Sequence, residues 1–156
     1  MKKTAIALAF VAALGLPMVA EAREITFTTK LKQYSGPGAY VALYVTDANG
    51  QYQGTLWMAG GQAKYYRHLS DWKRGTGGDL GQIDGVTGAS VGSGKTLTVS
   101  LDLADALIDA GYQIRIDAAV EEMGDSPGEI VVPLTSAGAG QPVAGRGYVD
   151  SFSYSM

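Results

Sequence analysis

The amino-acid sequence predicts an all-β fold, an immunoglobulin-like Greek-key sandwich of about seven strands with one short helix and a long Gly-rich loop. Three observations carry that expectation. Apolar and polar side chains alternate with a period of two in a series of short segments, and Gly, Pro or Asn separates most of those segments. No repeat, linker or break in composition interrupts residues 23–156, which are therefore assigned to one domain.

In chain order, Ile25, Phe27, Thr29 and Leu31 share one face of residues 24–31. Val41, Leu43 and Val45 do the same in residues 39–46, which run into Asp47-Ala48-Asn49-Gly50. Asn-Gly is a strong hairpin signal, so residues 51–58 form the return strand. Residues 63–72 read as a helix, because Tyr65, Leu69 and Trp72 fall on one face and Lys64, Arg67 and Asp71 on another. Residues 75–94 hold eight Gly. A structureless loop of that length is unusual in a compact domain and is more often functional than decorative. Further on, Leu97, Val99 and Leu101 alternate, and residues 104–110 read as a helical turn ended by Gly111. Tyr112, Ile114, Ile116 and Ala118 then alternate, followed by Ile130, Val132 and Leu134, and by Phe152 and Tyr154.

The inventory of side chains excludes several chemistries. With 156 residues, no Cys and one His, the chain has no thiol nucleophile, disulfide, iron–sulfur cluster or Cys-ligated zinc. A catalytic triad or multi-His metal site would have to use His68, which stands beside no nucleophile motif, so a hydrolase is the weakest reading. An apolar fraction of 46% fits a folded protein. Asp102, Asp105 and Asp109 do not have the spacing of a calcium loop, and Glu121, Glu122 and Asp125 read as a solvated acidic corner.

Met1-Lys2-Lys3, an apolar run over residues 4–19 and Ala20-Glu21-Ala22 together form a secretory signal peptide over residues 1–22, too short for a spanning anchor. The expected location is the periplasm or another exported compartment, soluble after cleavage. The whole chain has a net charge of −3, and the leader carries two of its Lys and one Glu. Such an acidic chain is a poor partner for nucleic acid or an anionic membrane surface.

Two motifs share the Gly-rich region. Ala89-Ser90-Val91-Gly92-Ser93-Gly94-Lys95-Thr96 matches a relaxed phosphate-loop pattern, but a strand rather than a helix follows the lysine, so the match is rejected. Asp84-Gly85-Val86-Thr87-Gly88-Ala89-Ser90 resembles the D-x-x-[ST]-G-A-[ST] signature of extracytoplasmic proteins that carry covalent FMN, such as the flavin-bearing subunits of sodium-pumping quinone reductases. That resemblance implies attachment of FMN through its phosphate to Ser90, by a flavin transferase that uses FAD and a divalent cation. The motif residues Asp84, Thr87, Gly88 and Ala89 would present the hydroxyl. In the signature the last residue is usually Thr, and Ser90 offers the same hydroxyl with less steric restraint.

The wider chain is similar to an uncharacterised family of small predicted periplasmic proteins, domain-of-unknown-function family 2271. The likeness rests on Trp57-Met58-Ala59-Gly60, on Lys64-Tyr65-Tyr66-Arg67-His68-Leu69-Ser70-Asp71-Trp72, on the flavin-type motif, and on Gly111-Tyr112-Gln113-Ile114-Arg115-Ile116 with Glu121. It implies a periplasmic electron carrier served by a flavin transferase and by membrane or periplasmic redox partners. In that setting Lys64 and Arg67 would offset phosphate charge, and Tyr65, Tyr66 and Trp72 would supply faces for the flavin ring. The same residues also read as an amphipathic helix with a core-filling aromatic face. The competing functional reading is a cofactor-free binding or structural sandwich.

Overall fold

The computed structural model describes residues 21–156, so nearly all of the expected leader lies outside the described residues. Strands β1 (Ala22–Leu31), β2 (Ala39–Thr46) and β3 (Tyr52–Ala59) are followed by a 3₁₀ segment (Ala63–His68), helix α1 (Ser70–Thr76) and a second 3₁₀ segment (Leu80–Ile83). Then come β4 (Thr87–Gly88), β5 (Thr96–Ala104), a 3₁₀ turn (Asp105–Leu107), β6 (Gln113–Val120), β7 (Gly124–Pro133) and β8 (Val149–Ser155). The strands form two sheets, ordered β5-β1-β8 and β4-β3-β2-β6-β7.

The period-2 segments therefore become the strands of an all-β sandwich. Its five-stranded sheet has the order of the larger, variable-type immunoglobulin sheet, and β1 pairs with β5 in the other, with the last strand β8 on its second border. Residues 32–38 carry the chain from one sheet to the other. Ile25, Phe27, Leu43, Leu56, Ile116 and Phe152 fill the space between the sheets, each 0–1% exposed. Phe27 stacks on Phe152 at 6.3 Å between ring centroids. Each such side chain contributes about 1.5–3 kcal/mol of transfer free energy.

A second core lies on the other face of the five-stranded sheet. Tyr40, Ala42, Tyr44 and Met58 point to that side, where Tyr66, Leu69, Trp72, Ile83 and Val86 cover them. All eight residues of β2 are consequently buried. The covering layer is not the single helix expected over residues 63–72. Leu69, at φ −89° and ψ 70°, separates the 3₁₀ segment from α1. In a 3₁₀ segment residues three apart eclipse one another. Tyr66 of that segment, Leu69 at the break and Trp72 of α1 are the buried set, while Tyr65 is only half-buried.

One carboxylate ties this layer to the sheet. Asp117 on β6 is 0% exposed and accepts from Trp72 N at 2.8 Å, Gly128 N at 3.0 Å and the Tyr44 hydroxyl at 3.1 Å. Its donors come from α1, β7 and β2. Trp72 is fixed again by Nε1, which donates to Thr55 Oγ1 at 2.9 Å. Burial holds the Asp117 carboxyl above its ordinary range against the lowering effect of these three bonds.

A second buried acid, Glu129 on β7, is 2% exposed. It accepts from the backbone N–H groups of Arg146, Gly147, Tyr148 and Val149, and so fixes the chain just before β8. A Cβ on Gly145 would sit 2.6 Å from Glu129 Oε2, and one on Gly147 would sit 2.9 Å from Oε1. Only glycine at these positions lets the backbone wrap the carboxylate.

Asp117→Ala leaves three donors unpaired and is expected to destabilise the protein by about 3 kcal/mol in urea unfolding. The pH dependence has a definite sign. Because the folded pKa of Asp117 is raised, its contribution to stability is fully present below the unfolded value of about 3.9 and declines as pH rises through the folded value. Subtracting the stability–pH curve of Asp117→Asn from that of the wild type should leave this decline. A flat difference contradicts it.

Candidate functional site at the glycine-rich sheet edge

The Gly-rich region is built as structure rather than as the structureless loop expected from its composition. Asp79 caps the segment Leu80–Ile83, its carboxylate accepting from Gly81 N at 2.9 Å. Asp84 ends that segment on the surface, and Gly85, at φ +77°, turns the chain in a conformation costly for residues with a Cβ. Val86 is buried, donates to Ile83 O at 3.0 Å and accepts from Met58 N at 2.8 Å. Thr87 and Gly88 then run parallel to Met58 and Ala59 as the edge strand, and Gly60 N donates to Gly88 O at 2.8 Å. Three residues later Val91 forms an antiparallel bridge to Ala39, with N···O distances of 2.7 and 2.9 Å.

Ala89 and Ser90 are thereby exposed between two backbone clamps. The Ser90 hydroxyl lies over Gly38, where a Cβ would approach Oγ to 2.6 Å. Gly38 keeps the hydroxyl clear. Beyond it, Ser93 Oγ accepts from Tyr34 N and donates to Tyr34 O, both at 2.7 Å, and Lys95 leads into β5. The segment from Ala89 to Thr96 thus offers no helix N-terminus to a phosphate.

The aromatics expected beside the motif are divided by the fold. Trp72 and Tyr66 are 0% and 4% exposed and belong to the second core, so neither offers a ring face at the surface. The core-filling alternative holds for these two. Lys64 and Arg67 are exposed, and Lys64 Nζ stands 5.0 Å from the centroid of the half-buried Tyr65 ring. The aromatic that meets the motif is instead Trp57, whose half-buried indole packs on Gly88, with 2.7 Å between Cζ2 and the position of a Gly88 Cβ. Trp57 and the motif are joined by a parallel pairing of β3 with β4, a contact that local sequence patterns do not announce.

A groove of about 520 Å³ separates the segment Ala63–His68 from the turn between β6 and β7. Tyr40, Tyr65, Arg67, His68 and Met123 are among the residues lining it. Tyr40 and Tyr65 meet edge to face at 5.6 Å. The Tyr65 hydroxyl donates to Glu121, and that bond is the main cause that holds its pKa above the ordinary value. His68 Nδ1 faces Asp125 Oδ1 at 3.0 Å, and Arg67 Nε lies 3.4 Å from His68 Nε2. The acidic corner is therefore partly engaged by Tyr65 and His68 and is not simply solvated.

The three aspartates 102, 105 and 109 serve separate local contacts. Asp102 lies opposite Glu24, Asp105 pairs with Arg23 at 3.3 Å, and Asp109 accepts from Ser136 N and Oγ at 2.9 and 2.6 Å. The bonds from Ser136 lower the pKa of Asp109. Among the described residues, no group of three or more His, Asp or Glu is placed to hold a metal ion.

Gly88→Ala drives a methyl against the Trp57 indole and is expected to cost about 1–3 kcal/mol and to shift Trp emission. Gly61→Ala, where a Cβ would meet nothing within 4 Å, is the control in the same urea titration. Equal stability of the two variants would contradict the close packing at Gly88.

Residues 22–151 match a family model described as "Predicted periplasmic protein (DUF2271)". No curated protein and no solved structure matches the chain. Among the described residues no helix is long and apolar enough to cross a membrane.

Proposed function

We propose, from the premise that this chain belongs to the DUF2271 family of predicted periplasmic proteins, that it is an exported electron carrier bearing FMN on Ser90. The observation that carries this reading is the presentation of one hydroxyl. Ser90 stands exposed at the end of an edge strand, between the Gly60–Gly88 bond and the Ala39–Val91 bridge, with the space over Gly38 left open. A serine that another enzyme must modify needs such exposure, because its hydroxyl is a weak nucleophile without an external base.

The attachment balances as a phosphoryl transfer. Ser90 Oγ bonds to the phosphorus of the FMN half of FAD, the pyrophosphate bond breaks, adenosine monophosphate leaves, and the hydroxyl proton passes to the flavin transferase. Its divalent cation offsets the charge of the phosphates. The bound flavin supplies one- and two-electron redox chemistry to a chain without Cys. Held there, it would exchange electrons with membrane or periplasmic redox partners. Asp84 lies exposed at the turn into the motif, where it can meet the transferase, while Val86 anchors the segment underneath.

Coexpression with an active flavin transferase, followed by intact mass and a visible spectrum, tests the proposal. The wild type and Ser90→Thr are expected to gain one FMN, and Ser90→Ala none. An unmodified, colourless wild type, with the transferase shown to work on another target, overturns the proposal in favour of a cofactor-free binding sandwich.

A further inference from the structure

The groove between Ala63–His68 and the β6–β7 turn lies at the same end of the sandwich as Ser90, and two glycines connect them. A Cβ on Gly36 would come within 2.6 Å of Met123 Sδ on the groove's rim, as one on Gly38 would with Ser90 Oγ. Two residues of chain span at most about 7 Å between Cα atoms, so with the reach of the side chains added the hydroxyl and the rim lie within about 15 Å, a distance spanned by a ribityl phosphate together with its ring. Tyr40, inside the groove, follows Ala39, the bridge partner of Val91.

The lining matches a flat heteroaromatic ring. Tyr65 offers a half-buried aromatic wall, and Met123, 47% exposed, offers a polarizable thioether to a ring edge. Arg67 places a cation where negative charge on a reduced ring would be offset. Of the acids that would oppose that charge, Glu121 and Asp125 are engaged by Tyr65 and His68, and Glu122 lines the groove exposed to solvent. A volume of about 520 Å³ is in the range of small-molecule sites.

We infer that this groove seats the isoalloxazine ring of the flavin, with Tyr65 and Met123 as its principal contacts. The inference rests on attachment at Ser90, yet the seat can be tested apart from the tether. Lumiflavin, the ring without ribityl chain or phosphate, is titrated with the unmodified Ser90→Ala protein and its fluorescence followed. Saturable quenching is expected, weakened about five-fold by adding Tyr65→Ala, the loss of one aromatic contact. In the FMN-loaded wild-type chain, emission is expected to lie well below that of free FMN. Tyr65→Ala or Met123→Ala should raise it about two-fold or more at unchanged adduct mass.

Absence of lumiflavin binding overturns the seat. So does an adduct whose emission ignores both groove variants, or responds only to Trp57→Phe at the motif. Failure to form any adduct removes the proposed function instead, and the lumiflavin titration then decides the groove alone. Tyr65 is half-buried and Met123 exposed, and far-UV circular dichroism checks that each variant folds.

Discussion

The five-stranded sheet is buried on both faces, and most of the molecule's layout follows from that constraint. A sheet of this kind needs a covering layer on each side, here the three-stranded sheet and the segments around α1. Covering the second face buries backbone donors as well as rings. The Asp117 carboxylate answers that problem at one point by accepting from three elements, which turns a costly buried acid into the junction between layer and sheet. The exposed edge at β4 inherits its position from this arrangement, since the chain reaches β4 only after crossing the covered face.

That history explains how small residues and a rigid setting combine at the candidate site. Gly88 allows the Trp57 indole to lie against the edge strand, and Gly38, just before β2, leaves room for the Ser90 side chain. Neither glycine gives looseness here, because both flanks are hydrogen-bonded to the sheet. The segment is closer to a mounted peptide than to a flexible loop.

The strands of the sandwich were legible because their inner faces alternate cleanly, and the proposed attachment at Ser90 stands out in the sequence because its motif is continuous in the chain. The second core was not, although Tyr40, Ala42 and Tyr44 on the supposed outer face of β2 were a usable signal of a strand covered on both sides. Likewise Asp117 stands in an apolar run of β6 where a solvent-facing strand position would look the same. Residues 63–72 were assigned a helical period of 3.6, whereas the change to 3₁₀ geometry and the break at Leu69 exchanged Tyr65 for Tyr66 in the core. Trp57 beside Gly88, and Glu129 beneath Arg146 to Val149, depend on contacts distant in sequence, which no local pattern encodes.

The placement of β1 bears on the order in which the chain can assemble. Its partners are β5 and β8, with Phe27 facing Val99 on one side and Tyr154 on the other. The middle strand of that sheet is made first, and one of its borders comes from the last strand in the chain. Early hairpins cannot close the sandwich, because the strands that complete it have long loop-closure distances. A polypeptide arranged in this way cannot complete its smaller sheet until its last strand is available.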